Sequence, residues 1–198
     1  MRVIAGRAGG VRLVSPKNGV RPTMDRVKAA IFSSLGEMVI GARVLDLFAG
    51  TGALGIEALS RGAESALFVD EDRKSIDAIE RNLEKTKFSG RVRNADVFRF
   101  LKNSGASGEK FRIIFADPPY ENMKSGEHFT SNLLADSNLP ELLEPDGLFV
   151  LEKRPDEQIL EMKRWILLRQ KKYGATEVLF LSDIRKGQPG SDPLSAIE

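Results

Sequence analysis

Val44-Leu45-Asp46-Leu47-Phe48-Ala49-Gly50-Thr51-Gly52-Ala53-Leu54-Gly55 joins a short apolar run to a helical stretch through glycines spaced Gly-x-Gly-x-x-Gly. An apolar run of strand length, then glycines, then apolar residues at helical spacing reads as a strand-to-helix connection. The helical part passes through Ile56, Ala58 and Leu59 and meets Gly62, a residue suited to end a helix. Downstream the alternation repeats. Further strands are predicted at residues 66–69, near Arg91-Val92, and at 111–116, 148–151, 165–168 and 177–181, with helices through Ile76, Ile79 and Leu83 and through Phe98 and Leu101. Pro145-Asp146-Gly147 is read as a turn before the fifth strand, and 171–175 as the turn between the last two. Strands alternating with helices in this way predict an α/β fold: a mostly parallel seven-stranded sheet covered on both faces, with an antiparallel last hairpin.

Ahead of this core, residues 1–15 are predicted to form a small β-hairpin. Residues 23–35 should form an amphipathic helix with Val27, Ile31 and Leu35 inward and Thr23 as N-cap. The expected organisation is a basic extension over 1–22, a main domain over 23–182 and a flexible tail over 183–198, rich in Gly, Pro, Ser and Asp. Charge is unevenly spread: Arg2, Arg7, Arg12, Lys17, Arg21, Arg26 and Lys28 face only Asp25, so residues 1–28 carry +6 in a chain of net charge +2. A second basic cluster comprises Lys163, Arg164, Arg169, Lys171 and Lys172. Such patches attract polyanions. The chain has no cysteine and a single histidine, His128, so no disulfide, thiolate site or metal is expected. No apolar run approaches the ~18–20 residues of a membrane span, and no secretory leader is legible, which predicts a soluble cytoplasmic protein.

The glycine loop fits either of two adenosine-bearing ligands. Glycines let the backbone turn tightly and approach a ligand, and Asp70, ending the next strand, can bind ribose hydroxyls with Glu71 beside it. A dinucleotide satisfies both features. Asp46, inside the first strand, favours S-adenosylmethionine, whose ammonium it can pair with, over a pyrophosphate, which it would repel. Asp96-Val97, after the third strand, can meet the adenine, while Phe48, Ala49, Gly50, Thr51 and Gly52 surround the rest.

Asp117-Pro118-Pro119-Tyr120 follows the strand at 111–116, at the carboxyl edge where open α/β sheets bind ligands. The exocyclic amino group of a nucleobase is a poor nucleophile because its lone pair is delocalised into the ring. The Asp117 carboxylate and the Pro118 carbonyl can accept both amino hydrogens and favour a more tetrahedral nitrogen. The prolines stiffen the loop so that these acceptors stay in place, and Tyr120 offers a face on which an extruded base stacks. Such a loop serves guanine N2 or adenine N6 alike. A non-catalytic RNA-binding protein of the same fold is a third reading, and the intact acids argue against it. Glu152, Lys153 and Arg154, after the fifth strand, are candidates to face the substrate.

With these motifs in hand, the chain resembles the bacterial 16S ribosomal RNA guanine-N2 methyltransferase family (RsmD-like) from Arg2 to about Leu181. Arg21-Pro22-Thr23-Met24-Asp25-Arg26-Val27 is the most specific element. It is joined by the stretch from Leu45 to Gly62, by Ala116-Asp117-Pro118-Pro119-Tyr120 and by Lys172-Tyr173-Gly174-Ala175-Thr176. The resemblance implies a Rossmann-like class I fold dependent on S-adenosylmethionine, and methylation of one guanine N2 in 16S rRNA within an assembling small subunit, by a monomer. It also implies that Arg7, Arg12, Arg21, Thr23 and Arg26 approach the RNA. The chain departs from the family pattern at Gly10-Val11-Arg12-Leu13 and at Lys28-Ala29-Ala30-Ile31-Phe32-Ser33.

Overall fold

The structure is a computed structural model describing residues 1–15, 22–104, 108–119, 128–157, 159 and 162–185. Seven strands form one sheet: β1 (Arg43–Leu47), β2 (Ser65–Asp70), β3 (Arg91–Asn94), β4 (Phe111–Ala116), β5 (Leu143–Lys153), β6 (Trp165–Tyr173) and β7 (Thr176–Asp183). Their order is β3-β2-β1-β4-β5-β7-β6. The first five are parallel, and β7 is antiparallel to both its neighbours. The expected mostly parallel sheet with its antiparallel last hairpin is therefore present.

The helices are α1 (Pro22–Leu35), α2 (Ala53–Ser60), α3 (Arg73–Thr86), α4 (Val97–Ser104) and α5 (Phe129–Ala135). Strand alternation divides the core in two. Val44, Phe68, Ile113, Phe115 and Val150 meet α1, α2 and α3 on one face, while Leu45, Leu67, Ile114 and Phe149 meet α4 and α5 on the other. All eight residues of α2 are buried, so this helix is enclosed on every side, and its two polar members, Glu57 and Ser60, are both engaged by the N-terminal segment. Among the described residues no helix is long and apolar enough to cross a membrane.

Several expectations are corrected. The hairpin predicted over 1–15 is present but short: one antiparallel bridge, Arg2 with Arg12, flanked by hydrogen bonds from Val3 N–H to the Val11 carbonyl, Gly10 N–H to the Val3 carbonyl and Leu13 N–H to the Met1 carbonyl. The reason is competition for its donors: the N–H groups of Ile4 and Ala5 go to the Glu57 carboxylate and those of Arg7 and Ala8 to Ser60. Val3, Ala8 and Leu13 pack into the α1–α3 side of the core. The α1 helix starts at Pro22, so Thr23 stands in its first turn and not at its cap; proline is pre-set for that opening position. Pro145-Asp146-Gly147 is not a separate turn but a bulge within β5, where the register jumps from Phe111–Leu143 to Ile113–Leu148. The last hairpin is tighter than 171–175: Tyr173 pairs with Thr176 across Gly174-Ala175, with Gly174 at φ +61°. Asp183, read as the start of the tail, belongs to β7, and residues 186–198 lie outside the described ones.

The second basic cluster is partly committed to internal pairing. Arg164 bonds Glu141 and Asp183 at 2.7 and 2.6 Å, and Lys171 donates to Ser34.

Candidate active site

The strand register gathers three carboxylates at the carboxyl edge of the sheet. Asp46 pairs with Phe115, and Ala116 pairs with both Leu47 and Leu151, which sets Asp117 level with Glu152. Asp46 and Glu152 thus stand on β1 and β5, on the α1–α3 face, with Asp117 between them one residue past β4. Asp46 is 2% exposed, and its Oδ2 accepts from the Gly55 N–H at 2.9 Å. Burial pushes its pKa up to about 8, Asp117 and Asp70 add to the rise, and the Gly55 bond opposes it. Burial likewise raises Asp117 to about 6. Glu152 is raised well above its ordinary range by burial and then by the charges of Asp117 and Asp46. Three carboxyl groups gathered here, with no cation beside them among the described residues, favour a ligand that brings positive charge or hydrogen-bond donors.

The glycine loop lies beside this cluster. Gly50 and Gly52 have φ of +55° and +71°, a region side chains disfavour. Gly55 meets a packing limit, since a Cβ there would lie 2.3 Å from the Phe68 ring. Asp70 ties the loop down, accepting from Gly50 N–H at 2.8 Å and Asp72 N–H at 2.9 Å. Each oxygen keeps a second lone pair for a ligand hydroxyl. Glu71 and Asp96 are exposed, and Asp96 accepts from the Arg99 N–H at the start of α4. Val97 is buried beneath, and Ala49 donates its N–H to Val69.

Phe48 holds φ +55° without being glycine, a strained backbone next to the loop. Its ring meets Phe98 and Phe129 edge-on at 6.3 and 5.7 Å, while those two stack at 6.4 Å. This half-buried aromatic trio joins the end of β1 to α4 and α5 on the other face of the sheet; sequence reasoning missed Phe129, whose only signal was an aromatic following the Asp-Pro-Pro loop.

Pro118 is buried and Pro119 exposed directly after β4. Tyr120 and Arg21 fall outside the described residues, as does the side chain of Thr23. Arg12 and Arg26 are exposed, and the exposed Arg7 lies over the Phe88 ring at 5.0 Å. Lys153 does not face the site: it is 4% exposed and paired with Glu177 at 2.9 Å on the opposite face of β5. Arg154 is exposed beyond the strand.

Comparison with known proteins places the chain. The family model described as conserved hypothetical protein 95 matches residues 1–182. The chain is 40% identical to YlbH of Bacillus subtilis over 183 residues, 90% of this chain and 96% of that one. It is 35% identical to ribosomal RNA small subunit methyltransferase D of Haemophilus influenzae over 178 residues, 88% of this chain and 89% of the relative. The solved structure of T. thermophilus 16S rRNA N2 methyltransferase RsmC, in complex with AdoMet and guanosine, matches with a TM-score of 0.66 at 27% identity, covering 84% of this chain and 44% of that one. With the strand order, the glycine loop and near-complete coverage all agreeing, the chain belongs to the conserved hypothetical protein 95 family, that of the small-subunit ribosomal RNA methyltransferases D.

Proposed function

We propose that the protein transfers a methyl group from S-adenosylmethionine to the exocyclic N2 of a guanine in small-subunit rRNA, acting as a monomer on an assembling particle. The observation that carries this reading is the Asp117-Pro118-Pro119 loop emerging from β4 next to Asp46 and the glycine loop. The residues fit the donor: Asp46 offers a buried carboxylate to its ammonium, Asp70 spare lone pairs to its ribose, and Gly50 an open backbone. Bound there, S-adenosylmethionine supplies an electrophilic methyl on a sulfonium.

The chain supplies alignment. Asp117 and the Pro118 carbonyl accept the amino hydrogens of the base, turning the nitrogen lone pair toward the methyl, and the flanking prolines hold both acceptors still. Positioning of this kind can contribute about 7–11 kcal/mol to lowering a barrier. Tyr120 stacks on the extruded base. The guanosine bound in the RsmC structure favours guanine over adenine, which the loop itself does not choose. Tritium transfer from labelled donor to rRNA, naked and in particles, followed by nucleoside analysis, tests this. N2-methylguanosine is expected; N6-methyladenosine would replace the substrate assignment, and no transfer in either form of the RNA would end it.

Two further outcomes are expected. Free Asp46 keeps its proton up to about pH 8, whereas an ammonium beside it stabilises the carboxylate, so donor binding at neutral pH expels a proton. Affinity for S-adenosylhomocysteine, which carries the same ammonium, should therefore rise from pH 6 to 8 and then level off. Calorimetry in buffers of different ionisation heat reads this directly, and a buffer-independent heat contradicts it. On the RNA side, Arg7, Arg12, Arg21, Thr23 and Arg26 form the contact surface. Replacing Arg21 and Arg26 by glutamine should weaken RNA binding and flatten its dependence on log salt by about 0.7–0.9 per lost phosphate contact. An unchanged slope removes those two residues from the interface.

A further inference from the structure

Asn82 lies on the inner side of α3, is 0% exposed, and has every polar atom of its side chain engaged by main chain. Its Oδ1 accepts from the Val14 N–H at 2.7 Å, and its Nδ2 donates to the Val14 carbonyl at 2.9 Å and the Thr51 carbonyl at 3.0 Å. The amide orientation is dictated by these partners. Exchanging oxygen and nitrogen would set an NH2 against an N–H and an oxygen against two carbonyls. One side chain therefore fastens Val14, in the N-terminal segment, to Thr51, in the middle of the glycine loop.

A second contact follows the same seam. The Thr51 hydroxyl lies 3.7 Å from Met1 Sδ, and the Met1 carbonyl accepts from the Leu13 N–H. From the sheet side the loop is held by Asp70 on Gly50 and by Asp46 on Gly55. Between these anchors, Asn82 is the side chain that fixes the Thr51 peptide. That peptide stands between two positive-φ glycines, Gly50 and Gly52, and glycine-rich backbone has the most conformational freedom to lose.

We propose that Asn82 is a positioning residue that clamps the glycine loop to the N-terminal segment, so that the methyl donor's site is complete only while residues 1–15 are docked. This rests on the reading of the glycine loop as the donor site. A loop freed at Thr51 spends part of its time in conformations that do not bind, and apparent affinity falls in proportion to the competent fraction. The segment that carries Arg7 and Arg12 toward RNA is then mechanically continuous with the loop that holds the donor.

The test compares the full wild-type chain with Asn82→Ala, using calorimetric binding of S-adenosylhomocysteine and thermal unfolding to confirm the fold. The clamp predicts a Kd about tenfold weaker, equivalent to ~1.4 kcal/mol. It also predicts a matching rise in KM for the donor with kcat at saturating donor nearly unchanged. A purely structural role would instead lower the active fraction and leave Kd and KM alone. Wild-type affinity in a folded Asn82→Ala overturns the clamp; absence of binding by the wild-type chain overturns the donor reading beneath it. Hydrogen exchange on the wild-type chain decides the matter even if Asn82→Ala does not fold. S-adenosylhomocysteine should slow exchange of the Val14 amide, which touches Asn82 and no donor-binding residue, and an unaltered rate there refutes the coupling.

Discussion

Asp117→Ala is expected to lower kcat by about 10²–10³-fold, the usual consequence of removing one pre-aimed polar group from a transition state. The Pro118 carbonyl remains as one acceptor, which is why the loss is bounded. Binding of S-adenosylhomocysteine should persist and even tighten slightly near neutral pH, because Asp117 is one of the charges that hold Asp46 protonated. The same variant should be more stable than wild type at pH 8. Burial raises Asp117 from 3.8 to about 6, so between these values the folded state binds more protons than the unfolded one. The carboxylate's contribution to stability therefore declines as pH rises through that window and stays unfavourable above it. Urea unfolding at pH 5 and pH 8 reads the sign: the advantage of Asp117→Ala over wild type should be larger at pH 8. A variant that turns over normally, or that is less stable than wild type at pH 8, contradicts the role assigned to this carboxylate.

Glu57→Ala should be the most damaging substitution for folding, lowering stability by about 3–5 kcal/mol. Glu57 is 0% exposed and receives the N–H groups of Ile4 and Ala5 at 2.7 and 3.1 Å, Arg61 at 2.7 Å and the Lys28 ammonium at 3.2 Å. Lys28 is itself 3% exposed, and its pKa is lowered by burial against the pull of Glu57. Removing the carboxylate leaves a buried ammonium with the Arg2 carbonyl as its one hydrogen-bond acceptor among the described residues, together with two orphaned N–H groups. Against the 5–15 kcal/mol that typical domains possess, such a loss is severe. The double variant Glu57→Leu, Lys28→Met should recover part of it, since both charges then leave the interior while the two N–H groups stay unsatisfied. Denaturant midpoints for the single and double variants test this, and equal midpoints would mean that the buried charge is not what destabilises.

Much of this architecture is written in local patterns. The glycine loop, the seven strands and the position of the Asp-Pro-Pro stretch after β4 follow from apolar runs, glycines and prolines whose backbone demands are the same in any context, and those elements recur where expected. What escaped was decided by long-range partners. The N-terminal hairpin stays short because the N–H groups of Ile4 and Ala5 go to Glu57 on α2, about fifty residues away in sequence. Glu57 left one trace, a lone carboxylate in the apolar run Gly55-Ile56-Glu57-Ala58-Leu59, which signals a buried partner without naming it. Asn82 left none, because a single asparagine in the amphipathic α3 reads as a solvated position. Lys153 was misread for a related reason: alternation along β5 puts it on the face opposite Glu152, where Glu177 neutralises it.

The placement of β7 between β5 and β6 has a bearing on biosynthesis. An interior strand of the sheet comes after all the others in the chain, so while a nascent polypeptide is still emerging, the first five parallel strands can assemble but β5 has a bare flank. Until residues 176–183 clear the exit tunnel, that flank presents unpaired amide and carbonyl groups over an apolar surface, the arrangement most prone to aggregation and to chaperone capture. A ribosome stalled before this point would hold a nearly finished sheet that cannot seal itself.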